Sequence, residues 1–318
     1  MKYLIALMAL VVLSALVCSC SESTDPMPDP EPEDRDYVLL VVDPDAGSNG
    51  EVIVVDPVTG EQEVLVSGGY HWYGDLAEGR NGLIYCTDPV NGEIDVFDPS
   101  NGEFSVSVSG GHIRPFGLCG IAVDDAGALL VPVHRVQNTA VQLLRVIPGN
   151  VDQEVLSAGG QFYDLYDVKV SGAGAVYVSG SSIQNRRPTA TIFQIDPETG
   201  AQTVKHLSAS GYEYRQFDFD RSGNIWAVED QVRVVKIDAT TGSSTPMTVD
   251  LDSVFYTGIF VGAADEVFVS RFSTHTLDRG IQRFDRDAGT WVWLGQRDNF
   301  MGPEGIIAVD RSRVGGSM

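Results

Sequence analysis

The stretch Gln194-Ile195-Asp196-Pro197-Glu198-Thr199-Gly200 ends a run of alternating residues with an aspartate and then a turn built from proline, threonine and glycine. Such a run predicts a β-strand that leads into a tight turn, because these residues favour turn conformations. The same pattern recurs along the chain at intervals of 42 to 49 residues. Further copies lie at 54–60, 96–102, 236–242 and 283–289, with a degenerate copy at 146–150. The sequence therefore contains six copies of one unit.

A second motif alternates with the first and consists of two apolar strands joined by a short turn that usually contains glycine. It occurs at 76–85, 121–131, 168–178, 217–228 and 259–269. Each unit thus predicts four antiparallel strands, which is typical of a propeller blade when repeats are 40 to 50 residues long. We expect an all-β fold, a six-bladed β-propeller with four antiparallel strands per blade.

The two ends of the repeat region each supply part of one blade. Residues 305–309 have the pattern of an innermost strand but no second strand follows them. Residues 37–42 have the pattern of a second strand but no innermost strand precedes them. Pairing them would close the ring and remove two exposed sheet edges. The predicted closing blade contains 305–309, 37–42, 51–55 and 62–67.

The N-terminal segment predicts export and lipid anchoring. Met1-Lys2 precedes an apolar run at 4–17, as in a secretory signal, and the run ends in Val17-Cys18-Ser19-Cys20. This ending resembles the lipobox of bacterial lipoproteins, so Cys20 is the expected lipidated N-terminus. Residues 1–19 are then a signal peptide, 20–36 a Pro- and acid-rich tether, and 37–318 the propeller. Ser21 favours an outer-membrane or cell-surface location, and an ordinary leader cleaved nearby is the alternative.

Composition limits the partners of this domain. The 318 residues carry a formal net charge of -23. Nucleic acid is excluded as a partner, because binding phosphates requires a concentrated basic surface. We expect a monomer whose contact with the membrane is made by its lipid.

One face of the propeller collects the candidate ligand-binding residues. The repeat register places the loops before each innermost strand, and those after each second strand, on the same face. Aromatic, histidine and arginine side chains in these loops suit a glycan, a small acid or an envelope protein. The candidates are His71, Trp72, Tyr73, His112, Arg114, His134, Arg135, Tyr214, Arg215, Arg271 and His275.

Two structural roles are alternatives for the same residues. The aromatics could fill the channel, and the arginines could neutralise neighbouring acids.

The sequence contains no G-x-S-x-G, H-E-x-x-H, Walker or C-x-x-C motif, which counts against common hydrolase mechanisms. A non-catalytic binding or scaffold module is therefore the favoured interpretation.

The stretch Asp220-Arg221-Ser222-Gly223-Asn224-Ile225-Trp226 resembles the turn of NHL-repeat and SMP-30/gluconolactonase-like propellers, and the Asp-Pro-Thr-Gly turns are similar to those of YncE-like lipoproteins. The resemblance covers nearly all of 37–310. It implies, as an alternative function, metal-dependent lactone hydrolysis with one divalent ion, calcium or zinc, at the channel mouth. Glu304, within Gly302-Pro303-Glu304-Gly305, matches the glutamate of that site. Its asparagine and aspartate partners have no convincing match, the nearest acids being Asp75, Asp164 and Asp167.

Cys86 and Cys119 are the candidate disulfide pair. Cys86 lies near the end of one predicted second strand and Cys119 near the start of the next innermost strand. Export to an oxidising compartment would permit the bond if the two Cα atoms lie within about 7 Å. Two buried thiols that act as small apolar side chains are the alternative.

Overall fold

The computed structural model describes residues 36–47, 50–67, 74–136, 140–150, 152–248, 253–276, 278–296 and 300–315. The predicted signal peptide and nearly all of the tether, including Cys20, lie outside these residues. The described part contains β-strands and one short 3-10 helix, Arg311–Arg313. None of its helices is long and apolar enough to cross a membrane.

The strands are labelled in chain order. They are β1 (Tyr37–Asp43), β2 (Glu51–Val55), β3 (Gln62–Ser67), β4 (Leu76–Glu78), β5 (Ile84–Asp88), β6 (Glu93–Phe97), β7 (Phe104–Ser109), β8 (Ala122–Val123), β9 (Leu129–Val133), β10 (Gln142–Val146), β11 (Gln153–Ala158), β12 (Asp164–Val170), β13 (Val176–Gln184), β14 (Arg187–Ile195), β15 (Gln202–Leu207), β16 (Tyr214–Phe219), β17 (Ile225–Glu229), β18 (Arg233–Ile237), β19 (Ser244–Pro246), β20 (Val254–Val261), β21 (Val267–Ser273), β22 (Arg279–Asp285), β23 (Thr290–Gln296) and β24 (Ile306–Asp310).

These strands form six antiparallel sheets of four strands each. Blade 1 has the order β24-β1-β2-β3, and blades 2 to 6 take the remaining strands in consecutive fours from β4 to β23. The first strand of each sheet contacts the first strands of its two neighbours, so β24, β4, β8, β12, β16 and β20 surround a central channel. The predicted six-bladed β-propeller is confirmed.

Blade 1 closes the ring as the sequence predicts. Strand β24 pairs with β1 in antiparallel register, from Tyr37 opposite Asp310 to Val41 opposite Ile306. The strand boundaries match the predicted closing blade to within one residue at each end. The two ends of the domain therefore stabilise each other through one continuous sheet.

The hydrophobic core is divided among the spaces between blades. In β1, Val38, Leu40 and Val42 pack against blade 2, whereas Leu39 and Val41 pack against blade 6. This division follows from the two-residue period of a strand, which sends alternate side chains to opposite faces. Both faces are covered, so the strands read as continuous apolar runs.

The recurring turns explain their own sequence pattern. The carboxylate of Asp196 accepts hydrogen bonds from the backbone N–H groups of Glu198 and Thr199, at 2.9 and 2.8 Å. These bonds hold the pKa of Asp196 below its ordinary value. Gly200 follows with a φ of 70°, a left-handed conformation that glycine adopts without a steric penalty. The aspartates of this motif are structural capping residues.

Candidate functional site

A cavity of about 130 Å³ lies at one end of the channel. Its wall combines innermost strands with the loops after second strands, which confirms that these segments share a face. It is smaller than the roughly 300–1,000 Å³ usual for sites of drug-sized ligands, so it suits a small polar molecule. The lining residues are Gly74, Pro89, Leu118, Cys119, Gly120, Tyr166, Arg215, Gln216, Gln231, Thr257 and Glu304.

Each blade contributes one residue at an equivalent position of this mouth. The position lies two residues before a buried apolar side chain of the innermost strand, as Arg215 does before Phe217. In blades 4, 5 and 6 it falls in a β-bulge, an irregularity that can turn a side chain toward a new direction. In the order of the blades, the six mouth residues are Glu304, Gly74, Cys119, Tyr166, Arg215 and Thr257.

Hydroxyl groups on second strands fix three of the mouth residues. Thr87 Oγ1 donates to the carbonyl of Cys119 over 2.7 Å, which ties blade 2 to blade 3. Ser179 Oγ and Ser270 Oγ make the corresponding bonds at 3.0 and 2.6 Å, to the carbonyls of Arg215 and Glu304. Alternate blades thus hold an acid, a thiol and a guanidinium in place before any ligand arrives.

The carboxyl group of Glu304 faces the cavity. Among the described residues, no side chain or backbone N–H group donates a hydrogen bond to that group. Burial raises the pKa of Glu304 to about 8, and the charges of Asp45 and Asp43 contribute in the same direction. At neutral pH the group is therefore mainly protonated and can both donate and accept a hydrogen bond.

Arg215 is positioned by two neighbours and leaves part of its guanidinium free. Its Nε donates to Glu213 Oε1 over 2.5 Å, and its guanidinium carbon lies 4.2 Å from the centre of the Tyr166 ring. Neither terminal nitrogen has a hydrogen-bond partner among the described residues. These nitrogens can bind a carboxylate of a ligand, the partner that guanidinium groups match best.

Tyr166 connects the mouth to a histidine on the rim. Its hydroxyl lies 3.4 Å from Asp164 Oδ2, and Asp164 Oδ1 lies 3.6 Å from Nδ1 of His134. The Asp164 carboxylate raises the pKa of His134, and His134 Nε2 lies 2.5 Å from the carbonyl oxygen of Phe116. His134 therefore supports the mouth through Tyr166 rather than lining the cavity.

Below the mouth, the channel contains a partly buried lysine among carboxylates. Lys169 Nζ lies 3.3 Å from Asp167 Oδ1 and 3.8 Å from Asp75 Oδ2. Burial alone would lower the pKa of Lys169, but the attraction of the Asp167 and Asp75 carboxylates outweighs it and raises the pKa. Burial raises the pKa of Asp167 to about 7 and also raises the pKa of Asp75 and Asp218. Lys169 is thus the counter-ion of the Asp167 and Asp75 carboxylates.

Of the predicted ligand-binding residues that fall in the described ranges, Arg215 alone lines the cavity. Tyr214 requires a correction, because its side chain is fully buried between blades 4 and 5, where its hydroxyl lies 3.1 Å from His206 Nε2. Alternation along β16 sends Tyr214 into the core, and the bulge sends Arg215 to the channel. Tyr214 is therefore a core residue.

The other described candidates lie on the rim or beyond it. His112 is exposed, and its Nδ1 lies 3.2 Å from Nε2 of Gln142. Arg114 is exposed. The guanidinium carbon of Arg135 lies 4.7 Å from the centre of the Tyr163 ring. Arg271 lies over Trp293 at 5.0 Å, and His275 is exposed in its loop. His71, Trp72 and Tyr73 lie outside the described residues.

Sequence reasoning missed Tyr166, Gln216, Gln231 and Thr257 as cavity residues. Gln231 comes from the turn between β17 and β18, where its φ of 60° is unusual for a residue other than glycine. Aligning the six repeats on the buried apolar residue of the innermost strand would have identified Tyr166 and Thr257. No comparable sequence signal marks Gln231.

Cys86 and Cys119 are free thiols in this structure, so the predicted disulfide is not formed. Cys86 packs into the core between blades 1 and 2. The next residue, Thr87, points the other way and meets Cys119, so Cys86 faces away from its predicted partner. Burial raises the pKa of Cys119 to about 12, which keeps this thiol protonated.

The mouth residues do not fit the divalent ion that the family resemblance implies for Glu304. The equivalent positions hold glycine, threonine, tyrosine, cysteine and the cationic Arg215 instead of further oxygen ligands of the kind calcium prefers. Within the described ranges, no three His, Cys, Asp or Glu side chains are grouped so that they could hold a metal ion.

No protein-family model matches the sequence, and no curated protein matches it. Solved structures do resemble the fold. A nidogen/laminin complex structure matches with a TM-score of 0.64 at 13% identity, covering 86% of this chain and 98% of that chain. A Bacteroides caccae protein of unknown function matches with a TM-score of 0.57 at 15% identity, covering 86% of this chain and 98% of that chain. The periplasmic gluconolactonase of Pseudomonas aeruginosa matches with a TM-score of 0.57 at 13% identity, covering 86% of this chain and 99% of that chain. These likenesses show the fold alone and confirm the resemblance to gluconolactonase-like propellers at that level.

Proposed function

We propose that this chain is a lipid-anchored, extracytoplasmic binding propeller whose channel mouth holds a small hydroxy acid. One observation carries the proposal: Arg215 and Glu304 face the same small cavity, and both keep polar atoms that no described residue occupies. The guanidinium would bind the carboxylate of the ligand. The protonated Glu304 and the amides of Gln216 and Gln231 would bind its hydroxyl groups.

Binding fits this mouth better than lactone hydrolysis, the activity named for some structures of similar fold. Among the described residues that line the cavity, the one cysteine is Cys119, whose pKa is raised by burial to about 12, and none is a histidine that could activate it. In the part of the chain that the structure describes, the residues around Glu304 do not form a metal site. The arrangement can orient and hold a ligand, which is the role we assign to it.

The anchoring part of the proposal rests on the sequence around Cys20. A lipid on Cys20, followed by a stiff tether, would hold the propeller away from the membrane with its mouth free to sample solutes. Monomeric behaviour is part of the same proposal, since each subunit carries a complete mouth.

A melting-temperature screen tests the proposed ligand class. Glycerate, lactate and gluconate should each raise the melting temperature of the chain, and the uncharged partners glycerol and glucose should not. Gluconolactone should open no faster with the protein than without it. Stabilisation by the uncharged compounds alone, or protein-dependent opening of the lactone, would refute the proposal.

A further inference from the structure

A second cavity lies outside the channel, between a long hairpin of blade 4 and the loop that leads into blade 5. Its volume is about 450 Å³, which falls within the range usual for ligand sites. We call it the hairpin cleft. Its lining residues are Gln184, Asn185, Arg187, Pro188, Thr189, Leu207, Ser208, Ala209, Ser210, Gly211 and Tyr212.

The cleft exists because the hairpin extends beyond its neighbouring outer strand. Strands β13 and β14 have nine residues each and pair as far as Gln184 opposite Arg187. Strand β15 pairs with β14 only up to Thr191, opposite Leu207. The tip of the hairpin therefore forms one wall of an open space, and the loop after β15 forms the other.

A network of polar contacts fixes the loop side of the cleft. Ser208 Oγ donates to Glu229 Oε1 and accepts the backbone N–H of Gly211 over 2.8 Å. Arg233 joins the same network, with Nε donating to Glu229 Oε2 over 2.5 Å and Nη2 donating to Ser210 Oγ over 2.9 Å. Because these contacts exist without a ligand, the wall is pre-organised and little ordering cost remains for binding.

The lining chemistry suits a sugar. Side-chain amides and hydroxyls can exchange hydrogen bonds with sugar hydroxyl groups, and the ring of Tyr212, which is 59% exposed, can pack against the C–H face of a sugar ring. Leu207 adds an apolar contact that is 42% exposed. The cleft thus places exposed apolar area beside polar groups, the combination that a sugar ring can use.

The charge of the lining selects an acidic sugar. The chain has 44 acidic and 21 basic residues of the Asp, Glu, Lys and Arg types, yet no Asp or Glu is among the described residues that line the cleft. Arg187 is exposed there, and no described residue pairs with it. We infer that the hairpin cleft binds an oligosaccharide carrying a carboxylate, with Arg187 on the carboxylate and Tyr212 under a sugar ring.

Isothermal titration of the full chain with trigalacturonate tests this site, with maltotriose as the uncharged counterpart. We expect Arg187→Ala to weaken trigalacturonate binding about tenfold or more, the usual effect of losing a charged hydrogen bond. Arg186→Ala is the matched control, because Arg186 is the neighbouring exposed arginine and does not line the cleft. It should change the affinity by less than about twofold.

Two further comparisons complete the test. Tyr212→Ala should weaken binding of the same probe, and Arg114→Ala, an exposed arginine that lines neither cavity, should leave it unchanged. Melting temperatures of the two arginine variants of the hairpin should match the original chain, because neither residue is buried. Absence of trigalacturonate binding, tighter binding of maltotriose, or equal losses in Arg186→Ala and Arg187→Ala would overturn the inference.

Discussion

The carboxylate of Asp167 in blade 4 accepts a hydrogen bond from the backbone N–H of Phe217 in blade 5 over 3.1 Å. Asp75 makes the corresponding bond to Ile121 of blade 3 over 3.3 Å. These two channel acids therefore join neighbouring blades through hydrogen bonds to the backbone. Their ionised forms depend on Lys169, which lies between them.

Removing that lysine should destabilise the fold in a pH-dependent way. Lys169→Met leaves Asp75 and Asp167 buried without a counter-charge, which typically costs about 3–5 kcal/mol when the acids are ionised. At pH 8 we expect a loss of that order in the free energy of unfolding, measured by urea denaturation. At pH 5 the loss should be smaller, because burial raises the pKa of Asp167 to about 7, so that this acid is then mainly neutral, and the pKa of Asp75 is raised in the same direction.

The exposed Lys205 supplies the control for that measurement. Lys205→Met should change the free energy of unfolding by about 0.5 kcal/mol or less at both pH values. If Lys169→Met is no more costly than Lys205→Met, or is equally costly at pH 5 and pH 8, the counter-ion role is wrong.

Glu304→Gln should stabilise the domain in alkaline solution. The pKa of Glu304 is about 8 in the folded protein and near 4.5 when unfolded. The folded state therefore holds the proton more tightly, and its stability falls as pH rises from about 4.5 to 8. Glutamine removes this titration, so the variant should melt above the original chain at pH 9 and together with it at pH 4. An identical melting temperature at both pH values would show that Glu304 has an ordinary pKa.

Much of the fold follows from the sequence, because strand alternation and turn chemistry are local. The Asp-Pro-Thr-Gly turns, the four strands of each blade and the closure of 37–42 on 305–309 all follow from that information. The mouth follows only in part, since the sequence places Arg215 and Glu304 on this face but does not show the bulge in β16 that turns Arg215 toward the channel. Tyr214, its neighbour in sequence, lies in the core because alternation along β16 sends it there.

The two cysteines of the propeller should remain reduced. Cys86 points into the core between blades 1 and 2 and Cys119 lines the channel mouth, so the native chain should contain both as free thiols without added reductant. Maleimide labelling followed by peptide mass spectrometry should modify Cys119 slowly and Cys86 only after unfolding. A linked peptide carrying both residues would contradict this placement.

Lipid anchoring should depend on Cys20. The chain expressed with its leader should partition into detergent, and Cys20→Ala should remain in the aqueous phase, because a lipidated cysteine supplies the apolar anchor. Cys86→Ala serves as the control for general effects of removing a cysteine. Equal partitioning of Cys20→Ala and the original chain would exclude the anchor.

The most direct test of the binding account is calorimetric titration of the small acid that stabilises the chain most in the melting screen. Arg215→Ala should weaken its binding by about 1.5–3 kcal/mol, or more than tenfold, because the ligand carboxylate loses a charged partner. Arg114→Ala, an exposed arginine on the same face that does not line the cavity, should bind as the original chain does. Unchanged affinity in Arg215→Ala, or an equal loss in Arg114→Ala, would contradict a binding site at the channel mouth.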